Sequence, residues 1–114
     1  MNLMNKPLVI EEFGLPRDDE SLDIAAATTQ RDIYYRSILE RIGNDPFVSG
    51  ANFWAYGGVG RSRTGNRKEL MGDPPMEPQG LNSVFDTDRT TWRVIDAEAR
   101  RLRAKKKDTS EAVP

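Results

Sequence analysis

The 114-residue sequence contains no cysteine and no histidine. Without cysteine, disulfide bonds and thiolate metal sites are excluded. Without histidine, the sequence lacks the usual general base, a Ser-His-Asp triad and an ordinary zinc site. Any chemistry in this chain must therefore use carboxylates, hydroxyls, amines, guanidinium groups or aromatic rings, and we expect no metal and no cofactor.

The chain also lacks a strong net charge and a long hydrophobic run. Its formal net charge of -1 disfavours general binding to nucleic acid or to a membrane surface. Eight basic residues lie between Arg89 and Lys107, and we interpret them as a solvated helix end favoured by the helix dipole rather than a nucleic-acid site. The four-residue apolar stretch near the N-terminus is too short for a signal peptide or a membrane span. A secretion signal of a longer parent would lie upstream, so localisation stays unknown.

The first predicted strand covers residues 7–14, in which the apolar run at residues 8–10 is typical of a fully buried strand. Two adjacent acids, Glu11 and Glu12, close this run. Because side chains alternate along a strand, the two acids point to opposite faces. From the pattern alone, they either mark the exit of the strand to solvent or place a functional carboxylate at its end.

A helix is predicted over residues 31–43. Thr29, followed three residues later by Asp32, resembles a capping box at its start, and Gly43 is expected to cap its end. Arg31 falls largely off the apolar face, which predicts that it is exposed. The apolar face consists of Tyr35, Ile38, Leu39 and Ile42.

A second strand is predicted over residues 49–56, in an aromatic segment that ends in paired glycines. Residues 57–88 then hold six of the nine glycines and show no convincing helix or strand pattern. A loop of this length is either disordered or functional. Its second half, residues 72–88, contains apolar anchors, and this favours an ordered functional loop.

The last predicted helix begins at about Thr90, and its apolar stripe assigns Trp92 to the core. We expect one ordered unit over residues 5–104 and a disordered tail over residues 105–114. The order strand, helix, strand, long loop, helix predicts an α/β fold with parallel strands joined by a crossover helix. Two parallel strands do not close a sheet, so the sequence indicates part of a larger structure. The apolar stripe of the last predicted helix consists of Trp92, Ile95, Ala99 and Leu102.

Four segments in order carry a family resemblance: PLVIEEFG, TTQRDIYY, GANFWAYGG and GDPPMEPQGLNSVFDTD. Together they resemble the C-terminal end of the mannanases of glycoside hydrolase family 5, over about residues 5–96. The family fold is an eight-stranded β/α barrel. The resemblance implies that residues 7–14 are its seventh strand and residues 49–56 its eighth, each followed by its outer helix.

The resemblance also implies a catalytic residue and a sugar-binding residue. Glu12 matches the nucleophile of the family, and Glu11 is expected to face the other way and serve the structure. Trp54 matches the aromatic floor of the sugar site, and the family resemblance implies a cis peptide bond between Trp54 and Ala55. Both positions fall at the C-terminal ends of strands, where active sites of this fold lie.

A retaining hydrolase needs a second carboxyl group about 5–5.5 Å from the nucleophile. In the family this acid/base glutamate follows an asparagine at the end of the fourth strand, and nothing in this chain matches it. Glu69 and Glu77 lie in the long loop rather than at strand ends, so we expect neither to be the acid. Also unmatched are the arginine, histidine and tyrosine that hold the nucleophile and the substrate.

The resulting hypothesis is a fragment of an enzyme that cleaves β-1,4-mannan by double displacement. We expect the chain to be inactive without the N-terminal barrel segment, and the parent to be secreted or part of the cell envelope. One alternative is a fragment of a retaining β-1,4-glucanase. Another is a non-catalytic carbohydrate-binding or interaction module built around Trp54 and Tyr56.

Overall fold

The structure is a computed structural model that describes residues 5–61 and 70–111, with side chains up to residue 105 in the last helix. It contains two helices, a short 3-10 helix and four short strands. Within these ranges, neither α-helix combines the length and the apolar composition that a membrane-spanning helix needs. The elements are β1 (Leu8–Ile10), the 3-10 helix (Asp18–Glu20), α1 (Thr29–Asn44), β2 (Val48–Ala51), β3 (Tyr56–Gly58), β4 (Val84–Phe85) and α2 (Arg89–Glu111).

The strands β1 and β2 pair in parallel, and α1 connects them. This confirms the predicted parallel unit with a crossover helix. The pairing continues past the end of β1, because the amide of Asn52 donates to the carbonyl of Ile10 at 2.9 Å. The carboxyl ends of the two strands therefore lie at the same edge of the sheet.

The apolar run of β1 is not buried as predicted. Leu8 is 51% exposed and Val9 is 45% exposed. The sheet that contains them has only two strands among the described residues, so each strand has one edge without a partner. An exposed apolar strand in a parallel pair is typical of part of a larger sheet, because parallel sheets are normally buried on both faces.

The second predicted strand is interrupted. β2 ends at Ala51, the peptide bond between Trp54 and Ala55 is cis as the resemblance implied, and β3 starts at Tyr56. β3 pairs in parallel with β4, which lies in the segment where we predicted no strand. A strand of two residues is too short to produce a recognisable alternation in the sequence.

Helix α1 starts and ends slightly outside the predicted bounds. Its N-cap is Thr28 rather than Thr29, and the hydroxyl of Thr28 bonds to the carboxylate of Asp32 at 3.0 Å instead of to a backbone amide. Gly43 lies inside the helix, which ends at Asn44. The predicted glycine cap is therefore wrong by one or two residues, an ordinary error for a helix boundary.

Arg31 is fully buried, which contradicts the prediction that it is exposed. Its guanidinium group forms an ion pair with Asp88 at 3.0 Å and donates to the carbonyl of Ser83 at 3.0 Å. Asp88 is buried as well and accepts two bonds of 2.7 Å from the buried Arg17 and one of 2.8 Å from the amide of Phe85. Arg31 lies one turn before Tyr35, on the same buried face of α1 as Leu39 and Ile42. The polar partners compensate for the loss of water around its charge.

The core lies between the first sheet and the two helices, which pack on each other. An aromatic series runs through it from Phe13 to Tyr35, Phe53 and Trp92, with ring centroids 5.0–5.9 Å apart. The indole NH of Trp92 donates to the carbonyl of Phe85 at 2.7 Å. The structural role predicted for Trp92 is confirmed by these contacts.

Helix α2 is longer than predicted and runs to Glu111. Residues 105–111, which we assigned to a disordered tail, are helical in the structure, since no glycine or proline interrupts this stretch. The last three residues lie outside the described ranges. The end of the ordered unit at residue 104 stays a prediction.

Tyr35 offers a test of the core. Its hydroxyl is buried and has no hydrogen-bond partner among the described residues, and burial raises the pKa of the phenol above its ordinary value. We expect Tyr35→Phe to raise the free energy of unfolding by about 1 kcal/mol, because an unpaired buried hydroxyl is removed. Above about pH 10 the unfolded tyrosine ionises while the folded one stays protonated, so the wild type loses stability with rising pH.

Urea denaturation at pH 7 and pH 11 measures both effects. The variant should lose less stability than the wild type between the two pH values. Tyr34→Phe is the control, because Tyr34 is only half-buried. A clear loss of stability in Tyr35→Phe at pH 7 would show that the hydroxyl makes a stabilising bond.

Candidate active site

The structure brings Glu12 and Trp54 to the same edge of the first sheet. Glu12 follows β1 and Trp54 follows β2, and the two strands are parallel. The amide of Trp54 donates to the carbonyl of Phe13, the residue after Glu12, at 2.7 Å. Both side chains line one open cleft of about 430 Å³.

Gly14 permits this close approach of the two strand ends. A Cβ atom at this position would lie 2.5 Å from the carbonyl oxygen of Trp54. No side chain fits at that distance, so only glycine allows the chain after Glu12 to pass beside Trp54. In the sequence, Gly14 was interpreted only as the end of the first strand.

The two candidate side chains are accessible to a ligand. Glu12 is exposed and forms no hydrogen bond with any residue that the structure describes, and Trp54 is 37% exposed. Glu11 is exposed too, but it is not part of the lining of the cleft. The carboxylate of Glu12 and the indole of Trp54 are thus presented together at the surface of the cleft.

The opposite wall of the cleft comes from the loop between β3 and β4. Pro74, Glu77 and Asn82 line it. The described part of this loop, residues 70–83, is held by internal hydrogen bonds, in agreement with the prediction of an ordered loop. Sequence reasoning did not identify Asn82, because an asparagine in a loop carries no pattern of its own. Glu77 lies in the cleft with Glu12, whereas Glu69 lies outside the described residues.

Two buried side chains hold this loop. The carboxylate of Asp73 accepts bonds from the amides of Gly80 at 2.7 Å and Asn82 at 2.9 Å. The side chain of Gln79 accepts a bond from the amide of Met71 at 2.8 Å and donates to the carbonyl of Asp73 at 3.0 Å. Both side chains are about 5% exposed, so these bonds are shielded from water.

The cleft combines two exposed carboxylates, those of Glu12 and Glu77, with the indole of Trp54 and the amide of Asn82. Sugar rings pack their C–H faces on indole, and carboxylates and amides bond sugar hydroxyls, so the lining suits a carbohydrate. Within the described ranges, no group of three or more acids, cysteines or histidines is placed to hold a metal ion.

Known proteins show the same architecture. A model of the domain described as GH family 5 beta-mannosidase-like matches residues 1–107. The chain belongs to glycoside hydrolase family 5. This confirms the resemblance found in the sequence, and the eight-stranded β/α barrel is implied by membership of the family. No curated protein matches the chain.

Solved structures of the family 5 mannosidase from Rhizomucor miehei are similar to the chain. One of them has a TM-score of 0.72 and 34% sequence identity, and the match covers 90% of this chain and 28% of that one. A mutant in complex with mannosyl-fructose gives the same values, and a second mutant differs only in its identity of 33%. The family 5 chain described here thus spans just over a quarter of the length of this relative.

Proposed function

We propose that the chain supplies the nucleophile, Glu12, to a retaining glycoside hydrolase that cleaves β-1,4-mannosidic bonds in mannan. One observation carries the proposal: Glu12 and Trp54 end two adjacent parallel strands and line one cleft. In a β/α barrel the catalytic groups lie at these strand ends. The mannosidase names of the family model and of the solved structures support a mannoside as substrate.

We further propose that β1 is the seventh and β2 the eighth strand of the barrel, and that the rest of the barrel is supplied by a longer polypeptide. The exposure of Leu8 and Val9 supports this arrangement, because preceding strands would cover them. The coverage of 28% of the Rhizomucor miehei mannosidase agrees in size with two of eight strands.

In the proposed reaction, a carboxylate oxygen of Glu12 attacks the anomeric carbon of the mannosyl unit. The bond from that carbon to the leaving oxygen breaks, and the oxygen takes a proton from the acid/base glutamate, which we place in the preceding barrel segment. A glycosyl ester on Glu12 results. Water, deprotonated by the same glutamate, then attacks the anomeric carbon. The bond from that carbon to the Glu12 oxygen breaks, and the mannosyl product leaves with its original β-configuration.

Trp54 is proposed to form the floor beneath the reacting sugar. Its exposed indole excludes water from one side of the developing oxocarbenium ion. A retaining glucanase uses the same groups, and it is the second candidate within the enzyme class. A stand-alone binding module is disfavoured by the open, apolar sides of β1, since exposed strand edges aggregate or pair.

The full-length polypeptide that contains this chain provides the test. It is incubated with β-mannan, an aryl β-mannoside and a β-1,4-glucan, and the first product is followed by NMR. We expect hydrolysis of mannan with the β-anomer formed first. Because cleavage lies within the polymer, the viscosity of the mannan solution should also fall rapidly. The α-anomer first would contradict retention, cleavage of glucan alone would favour the glucanase, and sugar binding without hydrolysis would favour the module.

A further inference from the structure

Asn82 stands out among the residues that line the cleft, because the orientation of its side chain is determined. Its amide nitrogen donates to the carboxylate of Asp73 at 3.1 Å and to that of Glu77 at 3.4 Å. A carboxylate accepts hydrogen bonds and does not donate them, so the nitrogen must face these two groups. The amide oxygen of Asn82 consequently points away from them.

That oxygen is free to bind a ligand. Among the described residues it accepts no hydrogen bond, and Asn82 lines the same cleft as Glu12 and Trp54. An amide oxygen with both lone pairs available is a good acceptor for a sugar hydroxyl.

The carboxylate of Asp73 holds the side chain of Asn82 in this orientation. It is buried and uses one carboxylate oxygen for both the backbone and the side-chain amide of Asn82, at 2.9 and 3.1 Å. The other oxygen bonds the amide of Gly80 at 2.7 Å and lies 2.9 Å from the hydroxyl of Ser83. Each oxygen is thus matched with donors, so the carboxylate has a single orientation.

We propose that Asn82 binds a hydroxyl group of the sugar in the cleft through its amide oxygen, and that Asp73 is the positioning residue that orients it. The inference rests on the proposed function and deepens it, since it adds a substrate contact from the loop opposite Glu12. Asp73 does not touch the substrate and acts through Asn82.

A double-mutant cycle in the full-length enzyme tests the proposal, with kcat and KM measured on an aryl β-mannoside and on mannotriose. We expect Asn82→Ala to lower kcat/KM by about tenfold, as the loss of one substrate hydrogen bond predicts. Asp73→Asn places an amide group against donors and should cause a loss of similar size. The double variant should be no worse than Asn82→Ala alone, because both changes remove the same interaction.

The matched control is Gln79→Ala. Gln79 is a buried anchor of the loop that bonds the backbone of Met71 and Asp73, but it makes no hydrogen bond to Asn82 or to the carboxylate of Asp73. Its effect should multiply with that of Asn82→Ala. Should the effects of Asp73→Asn and Asn82→Ala multiply as well, the positioning role is wrong. An unchanged kcat/KM in Asn82→Ala would disprove the substrate contact, while Glu12→Gln in the same series tests the proposed function separately.

A second variant carries the test if Asp73→Asn does not fold. Asn82→Asp replaces the donor with a carboxylate that faces Asp73 and Glu77, so the side chain must turn away from its present position. We expect Asn82→Asp to lose kcat/KM about as fully as Asn82→Ala, although it keeps oxygen acceptors. Activity near that of the wild type would contradict the proposed role of Asp73.

Discussion

Glu12→Gln in the full-length enzyme is expected to lower kcat on β-mannosides by about 10⁴-fold or more, the size of effect seen when a central catalytic group is removed. Glutamine has nearly the same shape, but its neutral amide does not form the glycosyl ester. Since Glu12 is exposed at the end of β1 and forms no hydrogen bond with any described residue, the change should leave the fold intact. Steady-state kinetics, with a thermal melt to confirm folding, measure the effect.

The neighbouring acid is the matched control. Glu11 has the same charge and is also exposed, but it does not line the cleft, so Glu11→Gln should retain most of the activity. Equal losses in the two variants would contradict the assignment of Glu12.

A second experiment tests the role of Glu12 as the nucleophile. With Glu12→Ala and an aryl β-mannoside, azide should restore turnover by attacking the anomeric carbon in the space left by the carboxylate. The phenolate leaves, and the product is the α-mannosyl azide. Recovery of the β-azide, or no rescue at any azide concentration, would argue against the nucleophile role.

Asp88→Asn is expected to cause the largest loss of stability, about 3–5 kcal/mol in the free energy of unfolding. Arg17 and Arg31 are both buried against this carboxylate. Without its negative charge, two guanidinium groups stay buried with no opposite charge beside them. Urea denaturation of the full-length protein, followed by tryptophan fluorescence, gives the difference.

Asp96→Asn is the control for the removal of an aspartate charge. Asp96 pairs with Arg100 at 3.0 Å on the exposed surface of α2, where an ion pair contributes about 0–1 kcal/mol. We expect its loss to be barely measurable. Similar effects for the two variants would show that the buried group around Asp88 does not hold the segments together.

The sequence predicted the elements of the fold better than their bounds. Both helices and the parallel pair of strands follow from hydrophobic periodicity and from the order of the segments. The break after Ala51 and the pairing of β3 with β4 depend on contacts between residues about 27 positions apart, in register Tyr56 with Val84 and Gly58 with Phe85. Hydrophobic periodicity within a short segment gives no information about such long-range contacts.

The same limit applies to charged residues. Arg31 was predicted to be exposed because it was placed off the apolar face of the helix. It is buried, since Asp88 and the carbonyl of Ser83, both more than 50 residues away, compensate its charge. At the candidate site, the resemblance identified Glu12 and Trp54, and the structure places them in one cleft. The proposed role of Asn82 was found only from the structure, because it depends on the conformation of the loop that Asp73 stabilises and not on a sequence pattern.

The open sides of β1 also bear on how such a protein is made. In the proposed arrangement, a ribosome synthesises these two strands last, at about 5–20 residues per second. The preceding three quarters of the barrel must then wait, with its own apolar edges open, until β2 emerges to close the ring, which takes roughly 3–10 s because β2 lies about 50 residues into this chain. Chaperone demand during translation should therefore be highest just before β2 leaves the ribosome.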